Sequence, residues 1–215
     1  MPHHEHPRRD HPWRARANAW FFWAADAYMH LKYRRIKGRL FSDMPRTIVE
    51  IGAGSGANLR YLAPGTHVIA VEPNVHMHRF LRRAATRRGL TLEIVAVGAE
   101  ELPLPDASVD AVVSSLVLCS VSDRARVLRE VRRVLRPGGR LLAIEHVAAP
   151  ARSALGLVQR AVFRPWRWVF EGCHTHPDTE DQLARAGFRS LSVKRFVWRT
   201  AFIPVRRQIA AVAVR

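Results

Sequence analysis

The stretch VFEGCHTHPDT, residues 169–179, places Cys173, His174, His176 and Asp178 within six positions. Cysteine, histidine and aspartate all ligate zinc, and a histidine in a crevice can instead accept or steer a proton. A structural zinc needs about four ligands in a tetrahedron. No second pair of ligand-type residues stands out elsewhere in the chain, so no bound metal is expected. His174 is a candidate for proton handling and His176 for substrate contact. The plainer alternative is a turn entering a helix capped near Asp178 or Thr179, with Cys173 and Cys119 as small buried apolar residues. Local spacing leaves these readings open.

EIGAGSGANLRYL, residues 50–62, carries a different chemistry. Gly52, Gly54 and Gly56 let the backbone turn sharply and approach a ligand closely. Gly52-x-Gly54-x-x-Ala57 loosely fits the dinucleotide pattern. Glu72 lies 20 positions beyond Gly52, at the end of the next strand-like run, where a carboxylate takes both hydroxyls of a ribose. With Ala53 inside the loop and Pro73 after the acid, the set suits NAD or S-adenosylmethionine (SAM). Glu50 favours SAM: a carboxylate before the glycines complements a sulfonium and an ammonium group and opposes a pyrophosphate. GAEELPLPD, residues 98–106, can meet an adenine edge with the backbone amides of Ala99 and Glu100. Ser115 and Leu116 end a further strand-like run at the same crevice.

These residues require an alternating α/β frame to bring them together. TIVEIGA, HVIAVE, TLEIVAV, VDAVVSS and RLLAIEHV read as five short apolar strands of a parallel sheet. Between them, NVHMHRFLRRAATRRG is an amphipathic helix stopped by Gly89. SDRARVLREVRRVLRPGG is a helix capped by Ser122 and ended by Pro137-Gly138-Gly139. After residue 150, ALGLVQRAVFRPWRWVFEGC has helical spacing broken at Pro165, and DTEDQLARAGF is a short helix. SLSVKRFVW and FIPVRRQIAAVAV close the chain as two strands, with Pro204 at a strand start. Ahead of the sheet, residues 13–41 read as one or two helices crowded with Trp20, Phe21, Phe22, Trp23, Tyr28 and Met29, then basic. Such a segment needs cover: it either packs over the active site or lies on a membrane surface.

The ordered set over residues 48–147 closely resembles the class I SAM-dependent methyltransferases. The resemblance implies a Rossmann-like α/β fold, with a seven-stranded mostly parallel sheet, a C-terminal antiparallel strand pair and an N-terminal helical cap. It implies a division into residues 1–44, a disordered tail plus aromatic/basic cap, and residues 45–215, one catalytic domain. Many relatives have Asp-Ala where this chain has Gly98-Ala99, so the usual adenine contact passes to Glu100 or is missing.

SSLVLCSVSDRARVLREVRRVLRPGGRLLAIEHVAAP and FRPWRWVFEGCHTHPDTEDQLARAGF are further similar to the microsomal alkyl thiol S-methyltransferases, over roughly residues 30–215. That family implies S-methylation of a small hydrophobic thiol. Its animal members carry an N-terminal membrane anchor where this chain has only the aromatic-basic stretch, and Cys-Asn-Leu-Thr-Arg where this chain has Cys173-His174-Thr175-His176-Pro177. A thiol of pKa near ~8.5 is already a few per cent thiolate at neutral pH, so a strong base is optional. His146, ending the fifth strand, is the first candidate to accept the proton or orient the acceptor. Trp20, Phe22, Tyr28, Trp166 and Trp168 are candidates to wall an apolar pocket, though core packing explains them equally.

The bulk numbers bound the alternatives. A chain of 215 residues that is 48% hydrophobic supports one well-buried core. Its two cysteines suggest a reducing, cytoplasmic compartment, with peripheral contact at the inner membrane surface through residues 13–41 as the competing use of that segment. No run approaches the ~18 apolar residues of a membrane span, and MPHHEHPRRDHP lacks the order of a secretion signal. Its four histidines invite loose metal binding, but a frayed tail is the simpler reading. The net charge of +17 raises nucleic acid as a partner. The arginines are scattered, however, and SSLVLCS stands where a base methyltransferase would carry an Asn-Pro-Pro-Tyr-type motif. The expected partner is a small methyl acceptor, by C- or O-methylation of a quinone or phenol if not by S-methylation.

Overall fold

The structure, a computed structural model, describes residues 12–215. The histidine-rich opening lies outside them. One helix, α1 (Pro12–Leu40), precedes β1 (Thr47–Ile51), β2 (His67–Val71), α2 (His78–Arg88), β3 (Thr91–Val95) and β4 (Val109–Ser115). Then follow α3 (Arg124–Val134), β5 (Leu135–His146), α4 (Ala154–Ala161), α5 (Phe163–Val169), α6 (Thr179–Arg185), β6 (Ser190–Val197) and β7 (Arg207–Val214).

The strands form one sheet in the order β3-β2-β1-β4-β5-β7-β6. The first five are parallel, and β7 runs antiparallel to both β5 and β6. The expected seven-stranded sheet with its C-terminal antiparallel pair is the one observed. Burial on both faces explains the near-continuous apolar strands. Along β1, Val49 and Ile51 join one core with Val112, Leu128, Val131 and Leu183. Ile48, just before Val49 and on the opposite face in the alternation, joins the other with Val68, Leu81 and Val113. A third cluster, Tyr33, Ile144, Trp198 and Ala210, seats α1 against the β5–β7 end of the sheet.

Several boundaries differ from those the sequence suggests. The aromatic and basic stretch read as one or two helices over residues 13–41 is one continuous helix, Pro12–Leu40, with Pro12 at its first position, where proline's missing N–H costs nothing. Helix α3 is capped by Asp123, whose carboxylate accepts the Arg126 amide at 2.9 Å; the Ser122 amide and hydroxyl donate instead to Glu100. Pro137-Gly138-Gly139 does not end α3. The helix stops at Val134, Leu135 is already extended and paired with Val109, and the register then jumps to Arg140 opposite Ala111. Pro-Gly-Gly is the extra loop of that irregularity, with Gly138 at φ +82°. The break between α4 and α5 falls at Val162, and Pro165 is tolerated within the first turn of α5. Pro204 sits in a short 3₁₀ turn before β7 rather than starting the strand.

Candidate active site

The carboxyl ends of β1 and β4 meet where the strand order reverses, the place an open α/β sheet binds ligands. β1 delivers Glu50, and the turn after it carries Gly52, Ala53, Gly54 and Gly56. The glycines serve different ends. A Cβ on Gly52 would come within 2.4 Å of Val117, and one on Gly56 within 2.9 Å of Ala84. Those two are bare because the fold packs against them. Gly54, at φ +55°, faces open space, with nothing nearer than 3.9 Å; it is the bare backbone a ligand can approach. Its amide donates to Glu72 Oε2 at 2.8 Å, and the Asn74 amide donates to Glu72 Oε1 at 2.8 Å. Both carboxylate oxygens are thus fixed by backbone donors, and each keeps a lone pair for a ribose hydroxyl. Burial pushes the Glu72 carboxyl up, against those two donors.

Glu50 is buried. Its Oε1 accepts Asn58 Nδ2 at 2.7 Å, and Asn58 Oδ1 accepts Lys37 Nζ at 2.6 Å. The other oxygen, Oε2, is buried without a partner among the described residues. Burial raises the Glu50 carboxyl to about 7 and lowers the Lys37 ammonium to about 8. A buried carboxylate with an orphan oxygen, joined to its cation only through an amide, is a receptor for a positive ligand group.

On the far side of the crevice, Leu116 holds φ +61° after β4, a strained conformation for leucine. Its amide donates to the Ile144 carbonyl, and the following Val117 amide donates to Glu145 Oε1. Glu145 is fully buried, accepts Ser114 Oγ at 2.7 Å, and has an Oε2 without a partner among the described residues; burial raises its carboxyl. Sequence reasoning assigned Glu145 no role. The only signal was an acid inside the apolar run LLAIEHV. Ala99 is buried, but Glu100 turns its Oε1 to Ser122. A Cβ at residue 98 would lie 2.6 Å from Glu100 Oε2, so Glu100 occupies the space an aspartate there would need.

The chemistry-bearing stretch at 169–179 divides. Cys173 Sγ lies 3.4 Å from His146 Nε2 and 3.5 Å from Cys119 Sγ, and the Trp166 indole N–H donates to it at 3.3 Å. The Cys119 thiol hydrogen bond, followed by His146 and Trp166, holds the Cys173 thiol below its usual range. His174 and His176 do not join this group. Both rings pack on Phe163 at 5.1 Å, and burial lowers both imidazoles. Asp178 pairs with Arg124 and stands at the start of α6 without accepting a capping bond from a backbone amide. Cys119 is therefore the chemical neighbour of Cys173, which the sequence could not show from 54 residues away.

Helix α1 crosses from one side of the crevice to the other. Near its start, Trp13 meets Trp168 and Asn18 donates to the Val169 carbonyl on α5. On the opposite side the Ala15 carbonyl accepts from Asn74, and Trp20 and Trp23 pack on Phe80 of α2. Farther along, Tyr28 donates to Thr200 and Tyr33 to Gln208. Trp20, Phe21, Phe22 and Trp23 remain between 38% and 48% exposed, so the helix is only half covered by its own protein. Among the described residues, no helix is long and apolar enough to cross a membrane.

A seven-stranded sheet of this order, a glycine turn after β1 and an acid ending β2 define a class I SAM-dependent methyltransferase. The methyltransferase domain family matches residues 49–143. The fold is similar to that of a SAM-dependent methyltransferase from Thermotoga maritima, with a TM-score of 0.65 over 95% of this chain and 98% of that one at 22% identity. The sequence is 38% identical to Thiol S-methyltransferase TMT1B of Homo sapiens, over 85% of this chain and 76% of that protein. It is 34% identical to the demethylmenaquinone methyltransferase of Thermus thermophilus, over 61% and 60%. The chain belongs to the family of the thiol S-methyltransferases, and SAM is its cofactor. The cofactor fits the residues present: Gly54 leaves the approach open, Glu72 has acceptor capacity to spare, and the orphan oxygen of Glu50 awaits a cation.

Proposed function

We propose that this enzyme methylates the sulfur of a small hydrophobic thiol. The observation that carries the reading is the 38% identity to a thiol S-methyltransferase along most of both chains. A crevice flanked by the aromatics of α1 and α5 agrees with it. SAM supplies an electrophilic methyl group on a sulfonium. The chain's residues bind, align and exclude water. Gly52, Ala53, Gly54, Gly56 and Pro73 shape the turn, Glu72 takes the ribose and Glu50 the cationic end. The backbone at Ala99 and Glu100 frames the adenine, and Ser115 and Leu116 form the wall under the methyl donor. The acceptor lies against Trp20, Tyr28, Trp166 and His176. Because a thiol ionises readily, alignment matters more than a strong base. His146 orients the acceptor, its Nε2 already engaged by Cys173, and His174 handles the proton at the more open side.

Residues 1–44 act as tail and cap and residues 45–215 as the catalytic domain, with α1 as a lid contacting α2 on one side and α5 on the other. The half-exposed aromatics and the basic end of α1 favour peripheral membrane contact as a second use of the same helix. Two buried thiols 3.5 Å apart suit a reducing, cytoplasmic compartment. A panel of thiols, phenols and amines incubated with methyl-labelled SAM tests the reading. Transfer to thiols alone is expected. Transfer to a quinol carbon or phenol oxygen with thiols inert would replace it with the quinone-type activity that the Thermus thermophilus relative is named for.

A further inference from the structure

Cys119, His146 and Cys173 come from three different elements, yet their ligand atoms lie within 4.8 Å of one another. Cys119 sits in the turn after β4, which the strained Leu116 begins. His146 ends β5, in register with Gln208 of β7. Cys173 follows α5 in a tight turn with Glu171 at φ +45° and Gly172 at φ +95°. The His174 amide donates to the Cys119 carbonyl at 2.8 Å, tying the two cysteine-bearing turns together. The fold thus spends two strained residues and a cross-turn hydrogen bond on bringing the three side chains to one point.

The separations have a chemical meaning. Tetrahedral zinc with Zn–S of about 2.3 Å and Zn–N of about 2.0–2.1 Å requires S···S near 3.8 Å and S···N near 3.5 Å. The observed 3.5 Å between the sulfurs and 3.4 Å from Cys173 to His146 Nε2 are within a few tenths of those edges, while the third pair, Cys119 and His146, is held only to within 4.8 Å and closes further around an ion. The Trp166 N–H···S bond is the kind of outer contact that fixes a ligating sulfur. His146 Nδ1 is buried with no partner among the described residues, so no described protein group supplies the outer acceptor that commonly fixes a ligating imidazole, and Nε2 is held at the cluster by its contact with Cys173.

We propose that Cys119, Cys173 and His146 form a binding site for one thiophilic, tetrahedral metal ion of the zinc type, with the fourth position open to the acceptor. Three protein ligands and one exchangeable position mark catalytic rather than structural zinc. An acceptor R–SH entering that position displaces water, gives up its proton by way of His174 to solvent and stays as a metal-bound thiolate. Its sulfur then forms the S–CH3 bond as the sulfonium–methyl bond breaks, with that electron pair passing to the neutral thioether that leaves. The acceptor's place on the ion rests on the thiol reading above; metal binding itself does not.

Cobalt(II) titration of the reduced full-length protein, without SAM, tests both parts. A near-ultraviolet thiolate-to-cobalt band saturating at one ion per chain, displaced by zinc, is expected. The band should be lost in Cys119→Ser and in Cys173→Ser, checked as folded by thermal melting. Cobalt bound only by the N-terminal histidines gives no such band, so the unaltered protein alone is decisive. No thiolate band, or one that survives in the double serine variant, overturns the site. A band that an added small thiol leaves unshifted overturns the open fourth position. Methyl transfer is measured separately, so failure of the thiol reading and failure of the metal site are told apart.

Discussion

At the residue scale, the cofactor half of the crevice separates contacts that serve the fold from contacts that serve the ligand. Glu72 accepts from Gly54 and Asn74 and offers its remaining lone pairs to a ribose. Replacing it by alanine removes both the anchor of the glycine turn and the bidentate acceptor. Calorimetry on Glu72→Ala should show SAM affinity reduced on the order of 100-fold, the scale of one or two charge-assisted hydrogen bonds; unchanged affinity would remove Glu72 from the site. The glycines give a sharper contrast. Gly52→Ala drives a Cβ into Val117 at 2.4 Å and keeps a left-handed φ of +59°, so it should lower stability by roughly 2–4 kcal/mol. Gly54→Ala meets no atom nearer than 3.9 Å and should cost only the roughly 1–2 kcal/mol of the left-handed conformation, while its methyl obstructs the cofactor. Denaturant melts beside SAM titrations check the pair. Equal stability losses in the two variants would contradict the division drawn between them.

At the element scale, α1 is the part whose role depends most on what it touches. Removing residues 1–30 takes away Trp13, Asn18, Trp20 and Trp23, the contacts to α5 and α2, but keeps Tyr33 and Lys37, which anchor the rest of the helix. Turnover on a soluble thiol should fall by at least tenfold, about 1.4 kcal/mol, with SAM affinity changed less. Full turnover together with lost co-sedimentation on anionic vesicles would make α1 a membrane contact instead of a lid. The central strands were legible in the sequence because each is a short apolar run that both core faces demand, and the edge strand β6 because its apolar residues alternate with polar ones. So were the glycine turn and Glu72, whose ligand chemistry is local to one β-α-β unit. The single span of α1, the Asp123 cap and the Pro-Gly-Gly loop inside β5 depend on competition between nearby partners that spacing does not rank. Ser122, for example, caps nothing because Glu100 takes both its donors. The Cys119–His146–Cys173 group was illegible for a different reason. Its members lie on separate elements and join only when the sheet is assembled, whereas His174 and His176, adjacent to Cys173 in sequence, pack on Phe163 instead.

At the scale of the whole molecule, the crevice places negative charge where a protein of net charge +17 also binds a cation. The scattered arginines repel one another and favour unfolding at low pH, a diffuse effect that salt screens. Glu50 opposes that trend locally. Its carboxyl rises from 4.5 to about 7 on folding, chiefly by burial. The folded state therefore holds a proton that the unfolded chain releases. Between pH 4.5 and 7 this group alone makes the ligand-free protein less stable as pH rises, by of order 3 kcal/mol in total, and adds no further slope above about 7. Lys37 has the reverse sign. Its ammonium falls to about 8 on folding, so stability lost at neutral pH returns as pH climbs from 8 toward 10.5. A sulfonium or ammonium beside the orphan oxygen of Glu50 binds the ionised carboxylate in preference to the acid. SAM should accordingly bind about tenfold more weakly at pH 6 than at pH 8, and its stabilisation of the fold against heat should grow across the same interval. Glu50→Gln keeps the shape and the Asn58 contact but has no proton to lose. In that variant the ligand-free protein should melt higher than the parent at pH 8, bind SAM weakly, and show little change in affinity between pH 6 and 8. Calorimetric titration and melting of both proteins at the two pH values measure each quantity, and a pH dependence as steep in Glu50→Gln as in the parent would move the cation-binding role to Glu145, which among the described residues is the other buried carboxylate with an unpartnered oxygen.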